Sequence, residues 1–566
     1  MHRAKKSAGA PRTESDQPQV SGMNRRELLG TVGGAALAGV GGLAIGAAAP
    51  AAASAVSTTS PAPFELEELT IRDLSAGMTA GRWTSQRLVE LYLGRIADVD
   101  RATNAKRGTN AMAETNPQAL EIAAGLDRER KAGKIRGPLH GIPVILKDNI
   151  DTGDRMKTTA GSLALAGSTA AKDAFLVERL RAAGAVVLGK TNLSEWANFR
   201  STRASSGWSG RGGQVNNPYV LDRNPCGSSS GTGAGISANL AAAGIGTETD
   251  GSITAPASMC GLVGIKPTVG LVSRGGVIPI SATQDTPGPL CRTVTDAAIL
   301  LGAITGVDLL DPATAASAGR SADYARALDP NALSGARLGV VRSFFGWHPE
   351  VDREMQGVLD LLRSRGAVLV DVAEIPHAKE YDATEYDVLL YEFKHGLNGY
   401  LSALPAGVAP RTLAELIDWN RQHAREEMPW FGQEIFEQAE AKGPLTDEAY
   451  LKAIAANARL SRAEGIDAAL AAEHLDALIS PTMGPAYLTD WLTGDHYGGS
   501  ATSPCAVAGY PHITVPAGAV QGLPWGLSIM GTAWSEAKLV GFAFAFEQAS
   551  RARKAPRFLP TLDWSA

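Results

Sequence analysis

Cys226-Gly227-Ser228-Ser229-Ser230-Gly231 and, further on, Gly246-Thr247-Glu248-Thr249-Asp250-Gly251-Ser252-Ile253 are crowded with small and polar residues. Gly and Ser let a backbone turn sharply and bring its N–H groups close to a ligand, so both stretches read as ligand-facing loops. Between them Ile236-Ser237-Ala238-Asn239-Leu240-Ala241-Ala242-Ala243 is an apolar run of helical composition, long enough to join two loops at one site. Upstream, Pro143-Val144-Ile145-Leu146 reads as a buried strand that delivers Lys147 at its end, followed by Asp148-Asn149.

A lysine at the tip of an apolar strand, with two separated Gly/Ser loops, resembles the amidase signature family, serine hydrolases with a Ser-Ser-Lys triad. The resemblance is densest from Gly137 to about Thr293. Thr247-Glu248-Thr249-Asp250-Gly251-Ser252, Lys266-Pro267-Thr268-Val269-Gly270-Leu271-Val272-Ser273, and Gly207-Trp208-Ser209 with Arg211-Gly212-Gly213-Gln214 are most similar to the peptide amidase branch. The resemblance implies an α/β fold with a central mixed β-sheet flanked by helices on both faces. It also implies Ser252 as nucleophile, Ser228 as a bridging serine on a cis peptide bond after Gly227, and Lys147 as base. Ser252 follows Ser228 by 24 residues, the separation the family's motif shows. Two positions depart from the common pattern: Asp250-Gly251 stands where Gly-Gly is usual, and Thr254 where an Arg is usual. The first agrees with the peptide amidase branch; the second bears on substrate choice and not on the triad.

The chemistry asks for these residue types. A serine hydroxyl attacks an amide carbonyl well only when a base takes its proton. Lysine can do so only when neutral, so its pKa must fall far below the ordinary value of about 10.4. Each unit of depression costs roughly 1.4 kcal/mol of charged-form stability, which predicts a dry pocket around Lys147 with Ser228 accepting its hydrogen bond and relaying the proton to Ser252. The backbone N–H groups of Thr249, Asp250, Gly251 and Ser252 are the candidate oxyanion donors. The resemblance places Asn192 and Glu195-Trp196 near the site, and Asn192 and Trp208 stand as expected substrate contacts.

The chain of 566 residues is 44% hydrophobic with a net charge of −5, so it has ample core and no electrostatic reason to bind nucleic acid. Residues 1–55 differ in kind. Asn24-Arg25-Arg26-Glu27-Leu28-Leu29 precedes a mild Gly/Ala-rich run ending near Ala53-Ser54-Ala55, which resembles a Tat-type export signal with cleavage just after it. So many Gly and Ala make a poor membrane span, so the processed chain is expected to be exported, outside the cell or in its envelope, with no stable membrane insertion. Residues 56–63 read as a disordered lead-in. No linker interrupts the remainder, giving one domain over 64–566, with a signature core at about 137–293 and a helical region at about 378–465. In the family that helical region covers the cleft and tunes specificity. The expected assembly is a monomer or homodimer.

Three motifs invite other readings. Gly184-Ala-Val-Val-Leu-Gly189-Lys190-Thr191 satisfies the Walker A pattern, but its middle residues are strand formers rather than a phosphate cradle. Gly227-Ser228-Ser229-Ser230-Gly231 satisfies the G-x-S-x-G elbow of an α/β-hydrolase-like esterase, with Ser229 as nucleophile. That elbow must follow a buried strand, and here Asn217-Pro218 through Asn224-Pro225 is rich in turn formers. His140 sits beside a turn and reads as structural. Cys226, Cys260, Cys291 and Cys505 show no metal or redox spacing, and one disulfide among them is left open. No metal and no cofactor is implied.

Taken together, the sequence predicts an amidohydrolase that cleaves carboxamide C–N bonds through an acyl-enzyme. Its substrates are expected to be small amides or peptide C-terminal amides. An amidotransferase A-type subunit is the alternative within the family.

Overall fold

A computed structural model describes residues 63–101, 108–320, 323–408 and 410–562. The export-signal reading of residues 1–55, and the lead-in as far as residue 62, lie outside the described residues. The strands, in chain order, are β1 (Met112–Thr115), β2 (Pro143–Lys147), β3 (Val186–Thr191), β4 (Trp208–Ser209), β5 (Gly213–Gln214), β6 (Ala243–Glu248), β7 (Val263–Lys266), β8 (Thr286–Cys291), β9 (Arg337–Val341), β10 (Val368–Val372), β11 (Ala477–Pro481), β12 (His512–Val520) and β13 (Leu523–Met530). β4 and β5 make a separate hairpin, and the other eleven form one sheet in the order β1-β3-β2-β6-β8-β7-β12-β13-β11-β9-β10. The pairs β3–β2, β2–β6, β11–β9 and β9–β10 are parallel and the rest antiparallel, so the sheet is mixed. Helices flank it on both faces.

The sequence of β2 explains its place. Every residue of Pro143–Lys147 is buried, as in a strand with parallel neighbours and covered on both faces, where an unbroken apolar run replaces alternation. The sheet therefore carries Lys147 to the end of a dry strand. β3 does the same for Lys190: the Walker-like segment is strand, and its lysine donates to the carbonyls of Ile150 (2.7 Å) and Lys157 (3.0 Å) and to Thr158 Oγ1 (2.9 Å). No phosphate cradle forms there.

The run at 236–243 corrects the sequence reading. The helix is Ser230–Ser237, six residues earlier; the chain then turns at Asn239 (φ +62°) and enters β6 at Ala243. Alanine favours helix locally, but Ala242 N–H bonds Pro143 C=O and draws this segment alongside β2. Asn239 tolerates the left-handed turn, and its amide side chain both accepts from Glu68 N–H (2.8 Å) and donates to Glu68 Oε1 (2.9 Å). Glycine in the Ser230–Ser237 helix has a packing reason. A Cβ on Gly231 would lie 2.3 Å from the carbonyl oxygens of Ala111 and Asn192, so only glycine lets this helix seat so close to the sheet edge. The helix at Val294–Ile304 is capped by Thr293, whose hydroxyl accepts from Asp296 N–H at 3.1 Å.

The helical region predicted by composition is present as Asp382–Ala403, Leu413–Gln422, Glu434–Glu440 and Glu448–Ala458, followed by a π-helical turn to Ile466. Phe393 and Phe436 join Trp196, Phe199 and Leu389 in one buried cluster, which seats these helices on the segment after β3.

Candidate active site

β6 ends at Glu248, and the chain turns through Thr249–Ile253 into a short helix at Thr254–Met259. The Glu248 carboxylate holds the turn: Oε2 accepts the N–H groups of Ile253 (2.8 Å) and Thr254 (2.9 Å) and the Thr254 hydroxyl (3.2 Å). Gly251 sits at φ +74°, and a Cβ there would lie 3.0 Å from Thr502 Oγ1. Thr249 Oγ1 donates to Asp285 Oδ1 at 2.6 Å, and Ser503 Oγ donates to Asp250 Oδ2 at 2.6 Å. Among the described residues no protein acceptor takes the N–H groups of Asp250, Gly251 and Ser252. They are free to bind an oxyanion.

The second loop approaches from the start of the Ser230–Ser237 helix. The Gly227–Ser228 peptide bond is cis, and Ser229 N–H donates to the Ser252 carbonyl at 3.2 Å, which ties the two loops together. Lys147 Nζ donates to Ser228 Oγ at 2.7 Å, to Thr247 Oγ1 at 2.9 Å and to the Thr247 carbonyl at 3.3 Å. Asn149 Nδ2 donates to the same Thr247 hydroxyl at 3.0 Å. Burial pulls the Lys147 pKa down from 10.5 to about 7, although the carboxylates of Asp285 and Glu248 push it the other way. The lysine is thus poised to give or take a proton near neutrality. Thr247, Glu248 and Asp285 were not singled out as site residues by the sequence; the only trace was a carboxylate placed before a Gly-containing turn and another before Thr286-Pro287.

A cavity of about 280 Å³ opens beside these loops, walled by Gly227, Thr249, Asp250, Gly251 and Ser252. Ser252 is 8% exposed, whereas Ser228 and Lys147 lie fully buried behind it. Asn192 and Trp208, the expected substrate contacts, do not line this cavity. The Asn192 side chain is consumed in the scaffold, donating to Gly213 C=O (3.1 Å) and accepting from Leu193 N–H (2.9 Å) and Ser209 Oγ (2.8 Å). Trp208 packs edge-on against Phe431, with the Arg200 guanidinium 5.7 Å from its ring centroid.

The competing motifs resolve on geometry. Residues 221–228 contain no strand, so nothing delivers Ser229 as an elbow. Its hydroxyl donates to the Thr247 carbonyl (3.1 Å) and accepts from Thr247 N–H (3.2 Å), pinning the loop to β6. Ser229→Ala is therefore expected to stay active within about tenfold while losing about 1–2 kcal/mol of stability, read by amide turnover and thermal melting. A folded Ser229→Ala as inactive as a Ser252 variant would restore the esterase reading. His140 is a strut, with Nε2 3.0 Å from Leu126 C=O and Nδ1 accepting from Arg136 N–H at 3.3 Å. All four cysteines are free and buried. Burial pushes the Cys226 and Cys505 thiols up to about 12, so neither is a thiolate at neutral pH. Among the described residues no group of His, Cys, Asp and Glu is arranged to hold a metal ion.

Residues 87–540 match the Amidase family. A probable amidase of Arabidopsis thaliana is 43% identical over 506 residues, covering 88% of this chain and 93% of the relative. The A-type subunit of glutamyl-tRNA(Gln) amidotransferase from Moorella thermoacetica is 35% identical over 500 residues, covering 86% and 98%. The solved structure of native peptide amidase from Stenotrophomonas maltophilia is 51% identical with a TM-score of 0.84, covering 88% of this chain and all of that one. A match across most of the length, joined to a buried near-neutral lysine on a serine beside a second serine loop, means that the chain belongs to the amidase family, hydrolases acting on amide C–N bonds.

Proposed function

We propose that this enzyme hydrolyses peptide C-terminal amides, or related small amides, through an acyl-enzyme on Ser252. The 2.7 Å bond from a buried Lys147, held near neutrality, to Ser228 carries the reading, because it links a base to the loop that the Ser229 N–H ties to Ser252. Neutral Lys147 takes the Ser228 proton as Ser228 takes that of Ser252, whose oxygen attacks the amide carbon. The N–H groups of the 249–252 turn hold the oxyanion. Collapse returns the proton through Ser228 to the leaving nitrogen, releasing ammonia or an amine. Water then attacks the ester by the same relay and frees Ser252. The peptide-amide substrate is supported by the 51% identity to a peptide amidase, against 35% to an amidotransferase component. Ammonia release from C-terminally amidated dipeptides, with Ser252→Ala as blank, tests it. If aryl amides or esters turn over and peptide amides do not, the substrate assignment falls.

The rate should rise with pH through about 7 as Lys147 loses its proton and level off above, since the neutral amine is the active form. Asp285 opposes that loss, its carboxylate accepting from Thr249 Oγ1 and from the N–H groups of Ile280 (2.8 Å) and Ser281 (2.9 Å). Asp285→Asn should move the acid limb of the pH–rate profile to lower pH. An unmoved limb in a folded variant would remove Asp285 from the base's electrostatics.

Export completes the proposal, on Arg25-Arg26 and the Gly/Ala-rich run after them. A reporter fused to residues 1–62 should leave the cytoplasm and be retained when both arginines become lysine; export of that double variant would refute it.

A further inference from the structure

The Ser252 cavity is acidic and holds no counter-ion of its own. Asp250 and Asp495 both face it, and no Lys, Arg or His lines it. The two oxygens of Asp495 accept from one backbone donor, Ser206 N–H, at 3.0 and 3.1 Å, and the neutral hydroxyls of Ser206 and Tyr487 steady its charge without cancelling it. Asp250 is steadied by neutral hydroxyls alone: Ser503 Oγ donates to its Oδ2 at 2.6 Å and the Thr502 hydroxyl lies beside the carboxylate, while the buried Oδ1 makes no hydrogen bond of ordinary geometry. Neither carboxylate belongs to an ion pair among the described residues. A buried carboxylate oxygen left unpaired is costly unless something the protein lacks completes it.

The charged groups around this wall do not supply the missing partner. Glu385, on the Asp382–Ala403 helix, accepts from Gln284 Nε2 at 2.9 Å; burial, with the charge of Asp250 behind it, pushes its carboxyl up to about 8. Lys266 lowers Asp250 somewhat, but its ammonium is committed to the carbonyls of Pro267 (3.0 Å) and Tyr510 (2.7 Å). His496 lowers Asp495 somewhat, but its Nε2 is engaged with Thr493 Oγ1 at 2.9 Å and it makes no ion pair with the carboxylate. Burial raises both Asp250 and Asp495 above the usual carboxylate range, the direction expected of charges that lack a cation. Phe199, Ile280 and Leu389 form an apolar part of the same wall.

We propose that this cavity is a cation-accepting acyl pocket, favouring amides whose acyl part carries a positive charge, with Asp495 and Asp250 as the counter-charges. Resting on the amide-hydrolysis reading above, this names its substrate class. A Lys or Arg side chain fits both halves of the wall, its methylene stem on the apolar part and its head on the carboxylates, and an unblocked amino group fits the acidic part alone. At about 280 Å³ the cavity has room for roughly one aminoacyl group. The same charges repel an anionic acyl group, including the carboxylate product, so product should leave readily.

The test is kcat/KM of the full chain for N-acetyl-alanyl amides ending in lysinamide, Nε-acetyl-lysinamide and norleucinamide. Nε-Acetylation removes the charge but lengthens the side chain, whereas norleucine keeps nearly the stem length without a charge, so the two neutral amides separate charge from size. The lysinamide should be preferred over both neutral amides by about tenfold to a hundredfold, the range for a hydrogen bond to a charged group. In Asp495→Asn that ratio should fall toward one. A wild-type ratio of one or less overturns the inference while leaving amide hydrolysis intact, and it decides the matter even where the variant does not fold. An unchanged ratio in a folded Asp495→Asn also overturns it. No turnover of any of the three removes the peptide-amide reading and this inference with it.

Discussion

Ser252→Ala is expected to lower kcat for peptide amides by roughly 10⁵-fold or more while leaving substrate affinity within a few-fold. The hydroxyl is the proposed bond-forming group, and no other nucleophile lines the cavity in a reactive state. The Cys226 thiol is held protonated, and Ser229 is locked by Thr247 on both sides. The variant should fold, since Ser252 lies at the cavity wall and its structural bond is made by its carbonyl, which alanine keeps. What survives is catalysis by the free N–H groups of the turn, too weak to replace the covalent step. Burst kinetics with an aryl ester report the acyl-enzyme directly: the burst should vanish in Ser252→Ala. A folded variant with a burst, or with more than about a hundredth of the wild-type rate, would move the nucleophile elsewhere.

Lys147→Met is expected to separate activity from stability. Activity at pH 7 should fall by about 10³-fold, the contribution typical of a positioned base, and recover partly as pH rises because hydroxide can substitute. Stability should change in the opposite sense at low pH. The folded-state pKa of Lys147 lies below the unfolded value, so below about 7 the fold carries a buried ammonium. A shift from 10.5 to about 7 corresponds to roughly 5 kcal/mol of cost. Between those values the unfolded chain binds more protons, so the wild type gains stability with rising pH. Methionine removes that cost but also the three hydrogen bonds that Lys147 donates to Ser228 and Thr247, a loss of about 1 kcal/mol for each. The variant should therefore be about 2 kcal/mol more stable than wild type at pH 6 and less stable by pH 10. Denaturant melts at the two pH values check it. A stability difference that does not move with pH would mean Lys147 is not held near neutrality in the fold.

Local composition sufficed where a residue's role follows from its immediate neighbours. Pro143–Leu146 is apolar throughout, as a strand covered on both faces requires, and Lys147 at its end is buried with it. Val186–Thr191 is strand-forming, which disposed of the Walker-like pattern. The two Gly/Ser loops announced themselves because only such residues permit a tight turn with free N–H groups. The sequence by itself thus determined the two loops and the buried lysine strand, and through the family resemblance these carry it pointed to the mixed α/β class and to Lys147, Ser228 and Ser252 as candidates.

Everything that tunes those candidates was decided by tertiary structure. Thr247, Glu248 and Asp285 act on Lys147 and on the 249–253 turn through contacts between β2, β6 and the start of β8, segments far apart in sequence. The alanine run before β6 became turn and strand because pairing with β2 outweighs a helix propensity of a few tenths of a kcal/mol per residue. Asn192 and Trp208 turned away from the cavity because hydrogen bonds and aromatic packing with distant partners satisfied them first. Asp495 joined Asp250 across some 245 residues to make one acidic wall. Pattern and propensity report on a residue's neighbours in the chain, whereas pKa, cavity shape and charge balance depend on neighbours in space, and only folding chooses those.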